Sequence, residues 1–245
     1  MLMKSRAPRL NKRLIANFDH GIGIVENISA SGGFLTTDAD FPTDEFFTIG
    51  LKVMGCKTIK MNCEVQRRME SGVGFKILDF ENSKQDLFHQ YIKGQFRALR
   101  KFGSDRIFTT EIVITLKDTN VFGNVYFSNF IEYQGIIREK FLLSAVPDLY
   151  DMLSAKSIRL VTIDTYNRFL ENTYFGDTLL VELTTSAIKA SSCKLNITFK
   201  NKHTGRIVGS GYQNFCVVKS NGKVIRIPDM LLEPLDFFQE VQDTG

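Results

Sequence analysis

The sequence predicts an α+β chain of two unlike parts, and three features of its patterning carry that prediction. Up to about residue 80, short apolar or alternating runs are separated by Gly, Asp, Asn or Pro. Five or six such runs read as a small barrel or sandwich. From residue 83 to 99 the apolar residues recur every three or four positions, the period of a helix. Beyond residue 104, one helical segment precedes four long alternating runs, the pattern of an antiparallel sheet wrapped around a helix.

Each element follows in order. Runs 13–18 and 22–28 flank Asp19-His20-Gly21, a hairpin-like turn. Runs 32–35, 46–53, 58–67 and 72–77 supply the remaining short strands. Leu87, Phe88, Tyr91, Ile92, Phe96 and Leu99 mark the face of the first helix, with Ser83 expected as its N-cap and Gly103 as its stop. The second part opens with a strand over 107–116, a Gly/Asn turn, and a helix over 127–143 that ends before Pro147. Strands over 158–169, 178–187, 194–200 and 208–218 complete it, with turns at 172–177, 203–205 and 221–222. The change of pattern places the domain boundary between 1–103 and 104–245.

The composition narrows the function classes. With 245 residues, 43% apolar and 24% charged, the chain is an ordinary globular one. No run approaches the roughly 18 apolar residues of a membrane span, so none is expected, and the basic start MLMKSRAPRLNKR lacks the apolar core of a signal peptide. Cys56, Cys63, Cys193 and Cys216 show no CxxC spacing, which suggests free thiols and a cytoplasmic location. Residues 1–103 carry 16 Lys+Arg against 11 Asp+Glu, and the rest 15 against 16. A basic first half suits a phosphate-bearing ligand, but a balance this small is also ordinary, and no DNA partner is expected. With three histidines and no HExxH, GxSxG, GxGxxG or P-loop, a zinc enzyme, a serine hydrolase and a dinucleotide enzyme are poor fits, and no metal is expected.

Two constellations carry chemistry. In the first, Arg9 and Arg13 stand four apart, and Asn27, Ser29 and Gly32 follow on one tight turn. Two guanidiniums can stack on purines and fork onto phosphates or guanine edges, while the turn supplies further donors. The same residues also fit a basic tail beside an Asx-type turn. They match RxxxR followed by [DN]xSxxG, and here the chain resembles the PilZ family over about residues 5–95. Cys63-Glu64-Val65 and Gly72-Val73-Gly74-Phe75-Lys76 are similar to that family's late strands. The resemblance implies a six-stranded barrel whose ligand is cyclic di-GMP, bound by Arg9, Arg13, Asn27, Ser29 and Gly32.

In the second, Asp118-Thr119-Asn120 and Gly123-Asn124-Val125-Tyr126-Phe127 lie between a strand and a helix. A turn feeding a helix start aims free N–H groups at one point, favourable for a developing oxyanion. A capped helix with surface charges is the plainer alternative. With Asn129, Gln134-Gly135 and Arg138-Glu139, the pattern resembles the hotdog acyl-CoA thioesterases, in the 4-hydroxybenzoyl-CoA thioesterase-like branch and nearest the enediyne polyketide enzymes. Phe175-Gly176-Asp177, the 205–211 run and Arg226-Ile227-Pro228 extend the likeness over about 106–232. The resemblance implies hydrolysis of an acyl thioester on coenzyme A or an acyl carrier protein, without a catalytic cofactor, by a homodimer or higher oligomer. Asn120, the Phe127 N–H, Arg138 and Asp118 are its implied catalytic residues. Asn120 stands where many relatives have a carboxylate, and Phe130 where a tyrosine is expected. The alternative is a non-catalytic effector that uses the second domain as an acyl-binding or dimerisation scaffold under cyclic di-GMP control.

Overall fold

Alternation along the first strand sets the barrel. In β1 (Leu10–Phe18) every second residue is buried, so Leu10, Leu14, Ala16 and Phe18 turn inward together with Lys12. This computed structural model describes residues 8–19, 21–38, 45–54, 57–146, 149–155 and 157–240. His20, Cys56 and Pro147, named above, lie outside them. The chain divides after Lys101, and its second unit runs from Phe102 to Glu240.

In the first unit, β2 (Gly21–Ser29), β3 (Gly32–Thr36), β4 (Phe46–Val53), β5 (Lys57–Met69) and β6 (Gly72–Phe80) join β1 in a closed barrel of order β1-β2-β3-β6-β5-β4. Closure leaves no unpaired edge, and Val25, Leu35, Ile49, Leu51, Ile59 and Met61 are fully buried. The register slips by one residue at Glu26 in β2 and at Gln66 in β5, two bulges that re-aim the side chains beside them. The first helix, α1 (Gln85–Phe102), lays Phe88, Tyr91, Ile92 and Gln95 inward. The Lys12 Nζ meets Gln95 Oε1 at 3.3 Å and stands 5.8 Å from the Tyr91 ring centre. Ser83 does not cap this helix: Asn82 and Ser83 take left-handed φ angles of 55° and 54°, and α1 starts only at Gln85. Gly103, with φ of 81°, stands just beyond its end.

In the second unit, β7 (Phe108–Val113), β8 (Arg159–Phe169), β9 (Thr178–Ser186), β10 (Ser192–Asn201) and β11 (Ile207–Val218) form an antiparallel sheet of order β7-β9-β10-β11-β8. One face buries Leu179, Val181, Leu183, Leu195, Ile197, Phe199 and Phe215. Along it runs α2 (Asn129–Ala145), whose Phe130 ring stands 5.1 Å from Phe199 and whose Phe141 ring stands 5.5 Å from Phe108. Two helices escape the sequence reading. The short α3 (Leu149–Ser154) carries too few residues to show a period. In α4 (Asp229–Phe237) an internal Pro234 disguises an apolar segment whose Leu231, Leu232, Leu235 and Phe237 are all buried. Its end is stitched to β9, since the Thr185 hydroxyl donates to Leu235 O at 2.6 Å and the Thr185 N–H to Phe238 O at 2.9 Å.

Cys63 and Cys193 are free and buried, and burial pushes both thiols far up, so they stay protonated core residues. Cys216 is free and half-buried. Among the described residues no helix is long and apolar enough to cross a membrane.

The glycine at position 32 is required by crowding, because its φ is not left-handed. A Cβ there would lie 2.2 Å from Phe75 O and 3.1 Å from Lys76 Cα, both backbone atoms of β6 that cannot give way. Gly32→Ala should therefore destabilise the barrel by about 1–3 kcal/mol, the scale for overpacking. A lowered urea midpoint for the barrel's unfolding transition checks this.

Candidate functional sites: an arginine-lined pocket and a helix-start turn

The first site is built on the β2–β3 turn. The Ser29 hydroxyl donates to Gly32 O at 3.0 Å and accepts from the Ser31 N–H at 3.3 Å, which fixes the turn from within. Across from it, Arg9 Nη1 donates to Asn27 Oδ1 at 3.2 Å. A cavity of about 320 Å³ opens here, lined by Arg9, Ser29, Ser31 and Gly33 together with Gln66, Arg67, Gly74 and Phe75. The structure thus brings Arg9, Asn27, Ser29 and Gly32 together. Arg13 is engaged elsewhere: its Nε lies 3.3 Å from Glu26 Oε1, and it is not among the lining residues. Gln66 and Arg67 were not singled out by the sequence reading. The only signal for them is the Gln66 bulge, which depends on strand register and so is invisible before pairing is known.

The second site is the turn between β7 and α2. Asp118 is its peg. Its Oδ2 accepts the Thr115 N–H at 2.8 Å and the Thr115 hydroxyl at 2.5 Å, while its main-chain oxygen accepts Tyr126 N–H at 3.0 Å and Asn129 Nδ2 at 2.7 Å. Asn120 closes the tip: its N–H donates to Asn124 O, and its Oδ1 accepts the Phe122 N–H at 2.8 Å. That leaves the Asn120 amide nitrogen as the donor to an incoming group. The Phe127 and Ser128 N–H groups, at the start of α2, have no acceptor among the described residues. They are two unpaired donors at the positive end of a helix dipole. Val121, Phe122 and Phe127 on this segment are exposed, as is Phe175.

Arg138 is not part of this turn. It sits nine residues along α2, roughly 13 Å from the helix start at 1.5 Å per residue. Its Nη1 donates to Thr162 Oγ1 on β8 at 2.8 Å and to Gln213 Oε1 on β11 at 3.3 Å, so it clamps the helix to the sheet. Phe130 is buried in the ring cluster with Tyr133, Phe169 and Phe199. A tyrosine stands three residues further along α2. Tyr133 is buried, and its hydroxyl faces Asp118 without closing a regular hydrogen bond. Burial foremost, and then the Asp118 charge, push its ionisation far up, so it remains a neutral donor. The three-residue spacing from Phe130 on one helix face was the available clue.

A closed six-stranded barrel carrying an arginine-lined turn, followed by a sheet around one helix with bare N–H groups at its start, defines a two-domain chain of a PilZ-type barrel and a hotdog fold. The family comparisons agree: residues 6–94 match the PilZ domain and residues 114–235 match the thioesterase-like superfamily. The chain carries a PilZ domain and a thioesterase-like hotdog domain. Among solved structures, it is similar to the dynemicin thioesterase, with 24% identity, TM-score 0.53, and coverage of 55% of this chain and 99% of that one. It is also similar to a 1,4-dihydroxy-2-naphthoyl-CoA thioesterase from Synechocystis, with 22% identity, TM-score 0.50, and coverage of 53% and 95%. A third is a Staphylococcus aureus protein solved in complex with CoA, with 13% identity, TM-score 0.51, and coverage of 57% and 89%. None of the curated proteins matches the sequence. Among the described residues no cluster of three or more His, Cys, Asp or Glu is placed to hold a metal.

Burial alone would raise the Asp118 carboxyl, but the bonds from the Thr115 side chain and backbone outweigh it, with Tyr133 and Lys117 helping, and the net direction is down. A carboxyl lowered in the folded state contributes stability above its unfolded value and loses it as pH falls through the folded one. Asp118→Asn should therefore cost about 1–2 kcal/mol at neutral pH and flatten the acid side of the stability profile. Thermal melts of the two proteins between neutral and strongly acidic pH test this, the gap closing toward acid.

Proposed function

We propose that the chain is an acyl thioesterase whose partner domain binds cyclic di-GMP, and that the nucleotide regulates the hydrolysis. The observation that carries the enzyme reading is the unpaired Phe127 and Ser128 N–H pair at the start of α2, beside the free amide of Asn120. A thioester carbonyl placed there gains two backbone donors that strengthen as its oxygen becomes an oxyanion. Water adds to the carbonyl carbon, the tetrahedral oxyanion sits on the N–H pair, and its collapse breaks the C–S bond. The thiolate departs and takes up the proton that the water released. Thiols ionise near pH 8.5, so the leaving group needs little acid assistance.

Asn120 cannot act as a base, and its Oδ1 is already held by Phe122. Its role is to orient the carbonyl or the water through the amide nitrogen. Asp118 holds the turn, and Arg138 holds the helix against β8 and β11. Substrates are acyl groups on coenzyme A or an acyl carrier protein, in keeping with the named activities of the similar structures. The active form is a homodimer or larger. β8 is an edge strand paired only to β11, and its Val161, Ile163, Tyr166 and Phe169 are exposed, an apolar edge suited to a second copy. A chain of this kind is expected in the cytoplasm.

The second reading, a non-catalytic cyclic di-GMP effector with an acyl-binding or dimerising hotdog domain, is favoured by one observation. The turn's own carboxylate is spent on Thr115. Turnover separates the two readings. Acyl-CoA and acyl-carrier thioesters of graded chain length, followed by thiol release with and without cyclic di-GMP, should show hydrolysis. Asn120→Ala should lower kcat by about 10²-fold with a smaller change in KM. Silence toward every thioester leaves the scaffold reading, and an undiminished Asn120→Ala enzyme moves the orienting role elsewhere on the turn.

The nucleotide reading rests on Arg9 and the Ser29–Gly32 turn in one cavity. Arg9→Ala should weaken cyclic di-GMP binding by about 2 kcal/mol, the scale of a charge-assisted hydrogen bond. Calorimetry on the full chain reads it directly.

A further inference from the structure

The sequence motif accounts for only part of the lining of the cavity on the barrel. Arg67, on β5, lines the same cavity as Arg9 and Ser29. Its guanidinium carbon stands 5.9 Å from the centre of the Phe34 ring, within the range of a cation–π contact. Its stem crosses Gly74, its register partner on β6, so closely that a Cβ at position 74 would lie 2.9 Å from Arg67 Cγ and 3.1 Å from its Nε. The adjoining bulge at Gln66 sends two successive side chains, Gln66 and Arg67, to the same cavity, where regular alternation would send one away. No acidic group or hydrogen-bond acceptor engages Arg67 among the described residues, whereas Arg13 is held by Glu26. The result is a guanidinium fixed by an aromatic ring and a glycine, charged, and open to the cavity.

We propose that Arg67 is a ligand-contacting residue of the nucleotide site, where its guanidinium plane stacks on a purine base of the bound cyclic dinucleotide. A cyclic dinucleotide presents two bases and a doubly charged ring, so a second guanidinium lining the same cavity as Arg9 suits its bases and its charge. Stacking uses the plane, which lysine lacks. Gly74 then has a ligand-related role as the floor on which Arg67 lies flat. This inference rests on the nucleotide reading above.

Calorimetric titration of the full chain with cyclic di-GMP tests it in five proteins: wild type, Arg67→Ala, Arg67→Lys, Gly74→Ala and the Arg67→Ala/Gly74→Ala double variant, with melting curves to confirm folding. Arg67→Ala should weaken binding about tenfold or more, within the range for stacking on one base. Arg67→Lys should recover little of that loss. Gly74→Ala should weaken binding in the wild-type background and add nothing to Arg67→Ala, because it acts through the displaced side chain. An Arg67→Ala protein with wild-type affinity overturns the proposal, and so does full affinity in Arg67→Lys, which would show a charge alone at work. Additive losses for Gly74→Ala and Arg67→Ala overturn the role given to the glycine. A wild-type chain that binds no cyclic di-GMP removes the nucleotide reading itself, a result distinct from any of these.

Discussion

The rotation of α2 about its own axis is fixed by one buried side chain, and the second site depends on that rotation. Gln134 has no exposed surface. Its Nε2 donates to Tyr166 O at 2.9 Å and to Asn167 Oδ1 at 3.1 Å, and its Oε1 accepts the Thr165 hydroxyl at 2.6 Å. A buried amide with these partners permits one setting of the helix, because any turn of it would strand polar atoms away from water. Room for the amide comes from Gly211, where a Cβ would lie 2.6 Å from Gln134 Nε2 and 2.1 Å from Tyr166 O. Arg138 repeats the attachment one turn further along, to Thr162 and Gln213. With the helix so pinned, the direction of its first N–H groups is fixed by the fold itself.

The turn that feeds α2 is held by a different device. Asp118 binds Thr115 behind it through the carboxylate and Tyr126 and Asn129 ahead through its main-chain oxygen, so a single residue ties both ends of the loop. The loop can then leave Phe122 and Phe127 exposed without collapsing onto them.

Most of the fold was legible in the sequence, and the exceptions have physical causes. Strand positions came through because β1, β9 and β10 alternate almost perfectly between buried and less buried residues. The first helix was displaced at its start because Asn82 and Ser83 adopt left-handed conformations that a Ser-before-helix rule does not foresee. The helix around Pro234 was missed because proline counts against a helix in any local reading, although here burial of Leu231, Leu235 and Phe237 outweighs it. For the candidate sites, the sequence singles out residues close together in the chain, such as Asn27, Ser29 and Gly32 on one turn. Arg67 reaches its cavity only through the β5–β6 register, and the Tyr133 hydroxyl comes to face Asp118, fifteen residues away, only through helix packing.

The two motif arginines occupy unequal positions on the barrel. Arg9 already bonds Asn27 at the cavity, whereas Arg13 is paired with Glu26, the bulge residue of β2. The side chains of this pair are 39% and 34% exposed, and ion pairs near the surface hold with no more than about 1 kcal/mol. Glu26 is tied to β3 as well, since the Thr36 hydroxyl donates to its Oε1 at 3.3 Å. The four-residue spacing therefore puts Arg9 beside the β2–β3 turn and Arg13 beside the bulge of β2, so two positions that the sequence presents as equivalent are anchored to different parts of that strand.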